Sequence, residues 1–155
     1  MKNSFFVWFK NYLSKEIMIE YKACLYFACI LFFYFMWLLC HGNYFASVLF
    51  MFEMILAAYF IVYLQVYVFR NFDEAEHLEQ RNLCSIVFCV ILYGGISWLL
   101  DWFERNLAAS FLFALFMTAV YVCVFLLNKA KRVIDTNNLN RMLDKFKKGE
   151  EKDEE

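Results

Sequence analysis

The sequence has no proline and only four glycines. Without proline nothing forces a break inside a helix, so the discontinuous helices that mark midplane sites in larger transporters are not signalled. So few glycines leave little room for a phosphate-cradling loop. The cysteines, Cys24, Cys29, Cys40, Cys84, Cys89 and Cys123, include no C-x-x-C pair. They read as small hydrophobes of apolar segments, with palmitoylation of Cys24, Cys84 or Cys123 a minor alternative. No zinc spacing and no Ser/His/Asp set is present, so no metal, cofactor or enzymatic activity is expected, and an enzyme acting on lipid is the weakest class. Period-two alternation is missing as well, which argues against a transmembrane barrel. Charge is scarce, at 20 % of residues.

Apolar residues make up 63 % of the chain, where soluble domains hold about 45–50 %. A chain of 155 residues has more oily surface than a small soluble fold could bury. Four apolar segments stand out, 23–40, 46–68, 83–100 and 107–127. Each approaches the roughly 20 residues that a helix needs to cross a hydrocarbon core of about 30 Å. The fold class is therefore all-α, a single integral membrane bundle of four transmembrane helices. All Lys and Arg residues except Arg105 fall in the N-terminal stretch (Lys2, Lys10, Lys15, Lys22), the middle loop (Arg70, Arg81) and the C-terminal tail. The positive-inside rule then puts both termini and the middle loop in the cytoplasm of a multi-pass protein of the cell membrane. In this topology the two histidines, His41 and His77, lie on opposite sides and cannot share a metal.

The first 22 residues are too interrupted for a signal peptide, FFVWF being their longest apolar run. Phe5, Phe9, Tyr12, Leu13, Ile17 and Tyr21 recur at helical spacing and predict an interfacial helix. A plain cytoplasmic extension of the first membrane helix is the alternative. In the tail, the polar run Asp135-Thr136-Asn137-Asn138 predicts a turn or cap. A short cytoplasmic amphipathic helix follows, with Leu139, Met142, Leu143 and Phe146 on its apolar face. Lys129, Lys131, Arg132, Arg141, Lys145 and Lys147 are the candidate contacts to lipid headgroups or to a protein partner. The terminal GEEKDEE reads as acidic and disordered. The middle loop, with Asp73, Glu74, Glu76 and Glu79, reads as solvated, or as a surface that pairs with the basic tail or a partner.

Within the second segment one residue stands apart. Glu53 interrupts VLFMFEMILAAYF. A central acid costs roughly 2.5–3.5 kcal/mol of insertion energy, while each Val, Leu, Ile or Phe is favourable by about 0.3–0.6 kcal/mol. The segment inserts, and the carboxyl should face protein or water. Glu53 lies roughly 10 Å below the outer end of its segment. Counting equal depth on the other segments reaches Tyr34, Tyr93 with Gly94 and Gly95, and Ala114, with Ser97 and Thr118 about one turn away. The predicted intramembrane polar cluster is thus Glu53, Tyr34, Tyr93, Ser97 and Thr118. Ser110, Ala114 and Thr118 form a small-residue stripe suited to close packing. Three readings of Glu53 stay open: a hydrogen-bonded structural group, a ligand- or ion-sensing group, and a proton-coupling acid. The last resembles the small drug-proton antiporters, and a homo-oligomer would supply it with a second Glu53.

The run from Ser97 to Leu143 carries a family resemblance. It contains a short outer turn W-F-x-R (Trp102-Phe103-Glu104-Arg105), a tyrosine-containing last helix, a basic segment and the Asn/Leu run Asn138-Leu139-Asn140-Arg141-Met142-Leu143. In this it resembles small bacterial four-helix membrane proteins of unknown function encoded beside LytTR-type transcription regulators. That family usually has a proline in the outer turn and a histidine opening the third helix, where this chain has Glu104 and no histidine near Leu83. The resemblance implies a non-enzymatic regulatory protein that holds a LytTR-type regulator at the membrane through its loop and tail. Its expected partners are membrane lipids and that regulator, with no direct contact to nucleic acid. The alternative is a small proton-coupled transporter using Glu53 in an oligomer.

Overall fold

The structure is a computed structural model that describes the backbone of residues 2–69, 71–72 and 79–153, with side chains for 7–10, 12–69, 71–72 and 79–143. All regular structure among these residues is helical. The helices are α1 (Lys2–Cys40), α2 (Val48–Tyr67), α3 (Gln80–Leu99) and α4 (Leu107–Asp153). Each pairs with its chain neighbour, and α1 also touches α4, so the four close into a ring. Buried positions recur every three or four residues: Ile19, Ala23, Tyr26, Ile30 and Tyr34 on α1, and Ala109, Phe113, Met117, Tyr121 and Phe125 on α4. That spacing keeps one stripe of each helix against the core.

The opposite faces are just as apolar. Phe32, Phe52, Phe60, Phe111 and Leu115 stand exposed along the helices. All four helices are long and apolar enough to cross a membrane, consistent with a multi-pass membrane protein. The 20 residues of α2 and of α3 match a core of about 30 Å. The 39 residues of α1 and 47 of α4 exceed it, and both overhang the end of the bundle that carries the chain termini.

Two expectations are corrected here. The N-terminal stretch is not a separate interfacial helix, because α1 runs unbroken from Lys2. Nor does the tail form a separate short helix: Asp135 to Asn138 are helical, inside α4. Residues 2–22 and 128–148 hold no proline or glycine. Asp, Thr and Asn each cost well under about 1 kcal/mol in a helix interior, and an existing helix propagates through them more readily than it renucleates. The backbone of the acidic end is helical as far as Asp153; its side chains lie outside the described residues. Asp73, Glu74, Glu76 and His77 fall outside the described residues, as do the side chains of Phe146 and Lys148.

Of the small residues, Gly94 matters most for packing. A Cβ there would stand 3.4 Å from that of Ala114, so glycine lets α3 and α4 approach. The predicted stripe is only partly used, since Ser110 is buried and Thr118 exposed. Among the thiols, Cys89 alone is buried in the bundle; Cys24, Cys40, Cys84 and Cys123 are exposed.

Candidate functional site

The connection from α3 to α4, at the end of the bundle far from the termini, folds back into the helices. The Leu100 N–H donates to the Ile96 carbonyl at 2.9 Å and the Trp102 N–H to the Ser97 carbonyl at 3.1 Å, which closes α3 and reverses the chain. Asp101, Glu104 and Arg105 take positive φ values of 62°, 54° and 54°. In that region the Cβ crowds the backbone, at about 1–2 kcal/mol per residue. The Asn106 side-chain oxygen accepts the N–H groups of Ala108 at 3.0 Å and Ala109 at 3.3 Å, capping α4. An ion pair of 3.6 Å joins Arg105 to Asp101; both are solvent-exposed enough for it to contribute little.

This geometry turns Trp102 and Phe103 inward, and both are buried. Phe103 packs against Phe33, Trp37 and Phe113 at ring-centroid distances of 5.5, 5.7 and 5.4 Å. The Trp102 indole Nε1–H donates to Oε2 of Glu53 at 3.1 Å. Glu53 is half-buried. Among the described residues no Lys, Arg or His stands against it. The acid of α2 is therefore tied to the W-F turn.

That partner corrects the predicted cluster. The Tyr34 hydroxyl accepts the Ser47 N–H at 3.4 Å. Tyr93 is buried beside Phe113 and Tyr121, with ring centroids 6.4 Å from each. Ser97 Oγ donates to the Gly94 carbonyl at 2.8 Å, and Thr118 Oγ to the Ala114 carbonyl at 3.0 Å. Ser97 and Thr118 thus bond to their own helices. A depth count along four helices could not find a donor that sits on a turn. The available signal was two adjacent large aromatics inside a six-residue charged connection.

A second polar region, at the terminal end, was not anticipated. Asn71, at φ 57°, sends its N–H to the Gln65 carbonyl at 3.0 Å. Its side-chain oxygen accepts from the buried Lys22 ammonium, and its amide donates to Met18 sulfur at 3.4 Å. The next residue, Phe72, is buried against Tyr121 at 5.4 Å. Tyr121 also packs on Tyr26 at 4.9 Å. Gln65 is fully buried, and its amide has no hydrogen-bond partner among the described residues. In both connections a left-handed residue, Asn71 or Asp101, precedes an aromatic that closes one mouth of the bundle.

Beyond Phe125, the last buried side chain on α4 among the described residues, the helix leaves the core. Lys129, Lys131 and Arg141 are exposed and Arg132 half-buried. Asn128, Lys131, Arg132 and Asp135 line a hollow of about 360 Å³. Val133, Ile134, Leu139, Met142 and Leu143 are exposed along the same overhang. The side chains of Lys145 and Lys147 lie outside the described residues. No group of three or more His, Cys, Asp or Glu among the described residues is placed to hold a metal ion. No family model, curated protein or solved structure matches the chain.

Proposed function

We propose that the chain is a non-enzymatic membrane interaction protein that holds a cytoplasmic partner, a LytTR-type regulator, at the inner face. One observation carries this reading. After Phe125, α4 continues unbroken to Asp153, a rod of about 40 Å at 1.5 Å per residue. Its described side chains mix exposed cations with exposed large hydrophobics. A helix with that surface has more to offer a protein groove than the water around it. The charge distribution puts this rod in the cytoplasm, where a soluble regulator could reach it.

Co-expression with the candidate regulator tests the reading. The full chain should carry the regulator into the membrane fraction, and a chain ending at Arg132 should leave it soluble. A regulator that stays soluble beside the full chain would refute the proposal.

A second reading, a small proton-coupled transporter using Glu53 in an oligomer, is favoured by one feature. Glu53 is among the residues that line a groove open to the side of the bundle. Glu53→Gln separates the two readings. It should abolish proton-coupled flux in a transporter and leave regulator capture intact in a holding protein.

A further inference from the structure

The core stripe of α4 continues past Phe125 with a change of chemistry. Tyr121, Phe125, Asn128, Arg132 and Asp135 follow one another at steps of four, three, four and three residues, so they share one helix face. Tyr121 and Phe125 are buried in the bundle. Asn128, Arg132 and Asp135, with Lys131, line the hollow of about 360 Å³. The hollow therefore stands over the terminal mouth of the bundle, in line with the core. Lys131 and Arg132 outnumber Asp135 among its described lining residues, so it favours an anion. Lys129 is not among them; it falls about 100° round the helix from Asn128.

The chain itself brings an anion to the same place. Phe72 is buried on Tyr121, with ring centroids 5.4 Å apart. The next seven residues, 73–79, hold four acids and no Lys or Arg. Along α4, Asn128 lies about 10 Å and Arg132 about 16 Å beyond Tyr121, at 1.5 Å per residue. An extended chain covers at most about 3.6 Å per residue, so Glu76 can lie up to about 14 Å beyond Phe72, and the long cationic side chains span the rest. We propose that the acidic stretch 73–76 of the connection from α2 to α3 occupies this hollow, with its carboxylates paired to Lys131 and Arg132. The base of the α4 overhang is then self-occupied, and an acidic segment of a partner can seat there only by displacing the chain's own acids. The proposal rests neither on regulator capture nor on transport.

Zero-length crosslinking of the full, unsubstituted chain tests this. The protein is placed in nanodiscs of zwitterionic phospholipid, with and without anionic phospholipid, and treated with a water-soluble carbodiimide, which joins an amine to a carboxylate only where the two touch. In the monomer fraction, mass spectrometry should find Lys131 joined to Asp73, Glu74 or Glu76 in both lipid mixtures. Lys129 should be joined to them at least about ten-fold less often, because it stands on another face of the helix. The Lys131 product should fall at least about three-fold at 1 M salt, where the screening length is about 3 Å. A Lys131 product that forms only without anionic lipid would give the hollow to a lipid headgroup and overturn the proposal. Equal crosslinking of Lys129 and Lys131, or no product between Lys131 and residues 73–76, would overturn it as well.

Discussion

At the far end of the bundle, the connection from α1 to α2 turns on Gly42, at φ 71°, and leaves Tyr44 and Phe45 82 % and 94 % exposed. The connection from α3 to α4 turns on three non-glycine residues of positive φ and buries Trp102 and Phe103 to 2 % and 1 % exposure. Where glycine makes the turn, the backbone is unstrained, and the aromatics of the connection stay outside the bundle. The second connection accepts strained residues at about 1–2 kcal/mol each, and two buried aromatics at about 1.5–3 kcal/mol each hold them in place. The indole-to-carboxylate bond then couples that strained turn to Glu53. In this molecule backbone strain sits in the connection that supplies the hydrogen-bond partner of Glu53.

Substitutions test that contrast in descending order of effect. Trp102→Ala should lower stability by about 3–5 kcal/mol, read by thermal unfolding in detergent, because it empties the mouth of the bundle and frees Glu53. Glu53→Leu should cost about 1–3 kcal/mol by orphaning a buried indole N–H, whereas Glu53→Gln keeps an acceptor and should cost less. A larger loss for the glutamine than for the leucine would break the link between turn and acid. Glu104→Gly should stabilise by about 1 kcal/mol, since glycine adopts the observed φ without strain. Phe45→Ala should change stability by no more than about 0.5 kcal/mol; a loss comparable with that of Trp102→Ala would mean that both connections are anchored alike.

The four apolar segments were legible because helix length and hydropathy register directly in composition. The observed α2 and α3 fall within three residues of the predicted bounds at each end. What stayed hidden were helix ends without a stop signal. Residues 2–22 and 128–153 carry enough polar residues to suggest separate elements, yet contain nothing that breaks a helix before Gly149. The candidate site was half legible. An acid in an apolar run announces itself, so Glu53 was found. Its partner was not, because depth counting assumes that neighbours lie on helices, while Trp102 reaches Glu53 from a refolded turn. The Asn71–Phe72 plug escaped for the same reason, and a fully buried Gln65 looked like any polar residue near a helix end.

Cysteine labelling of intact cells tests the central claim, that the charge distribution sets a four-crossing topology with the α4 overhang inside. In a background with the native cysteines replaced by serine, Asn43→Cys should react with a membrane-impermeant maleimide, and Asn140→Cys should react only after permeabilisation. Labelling of Asn140→Cys in intact cells would put the overhang outside and contradict the account.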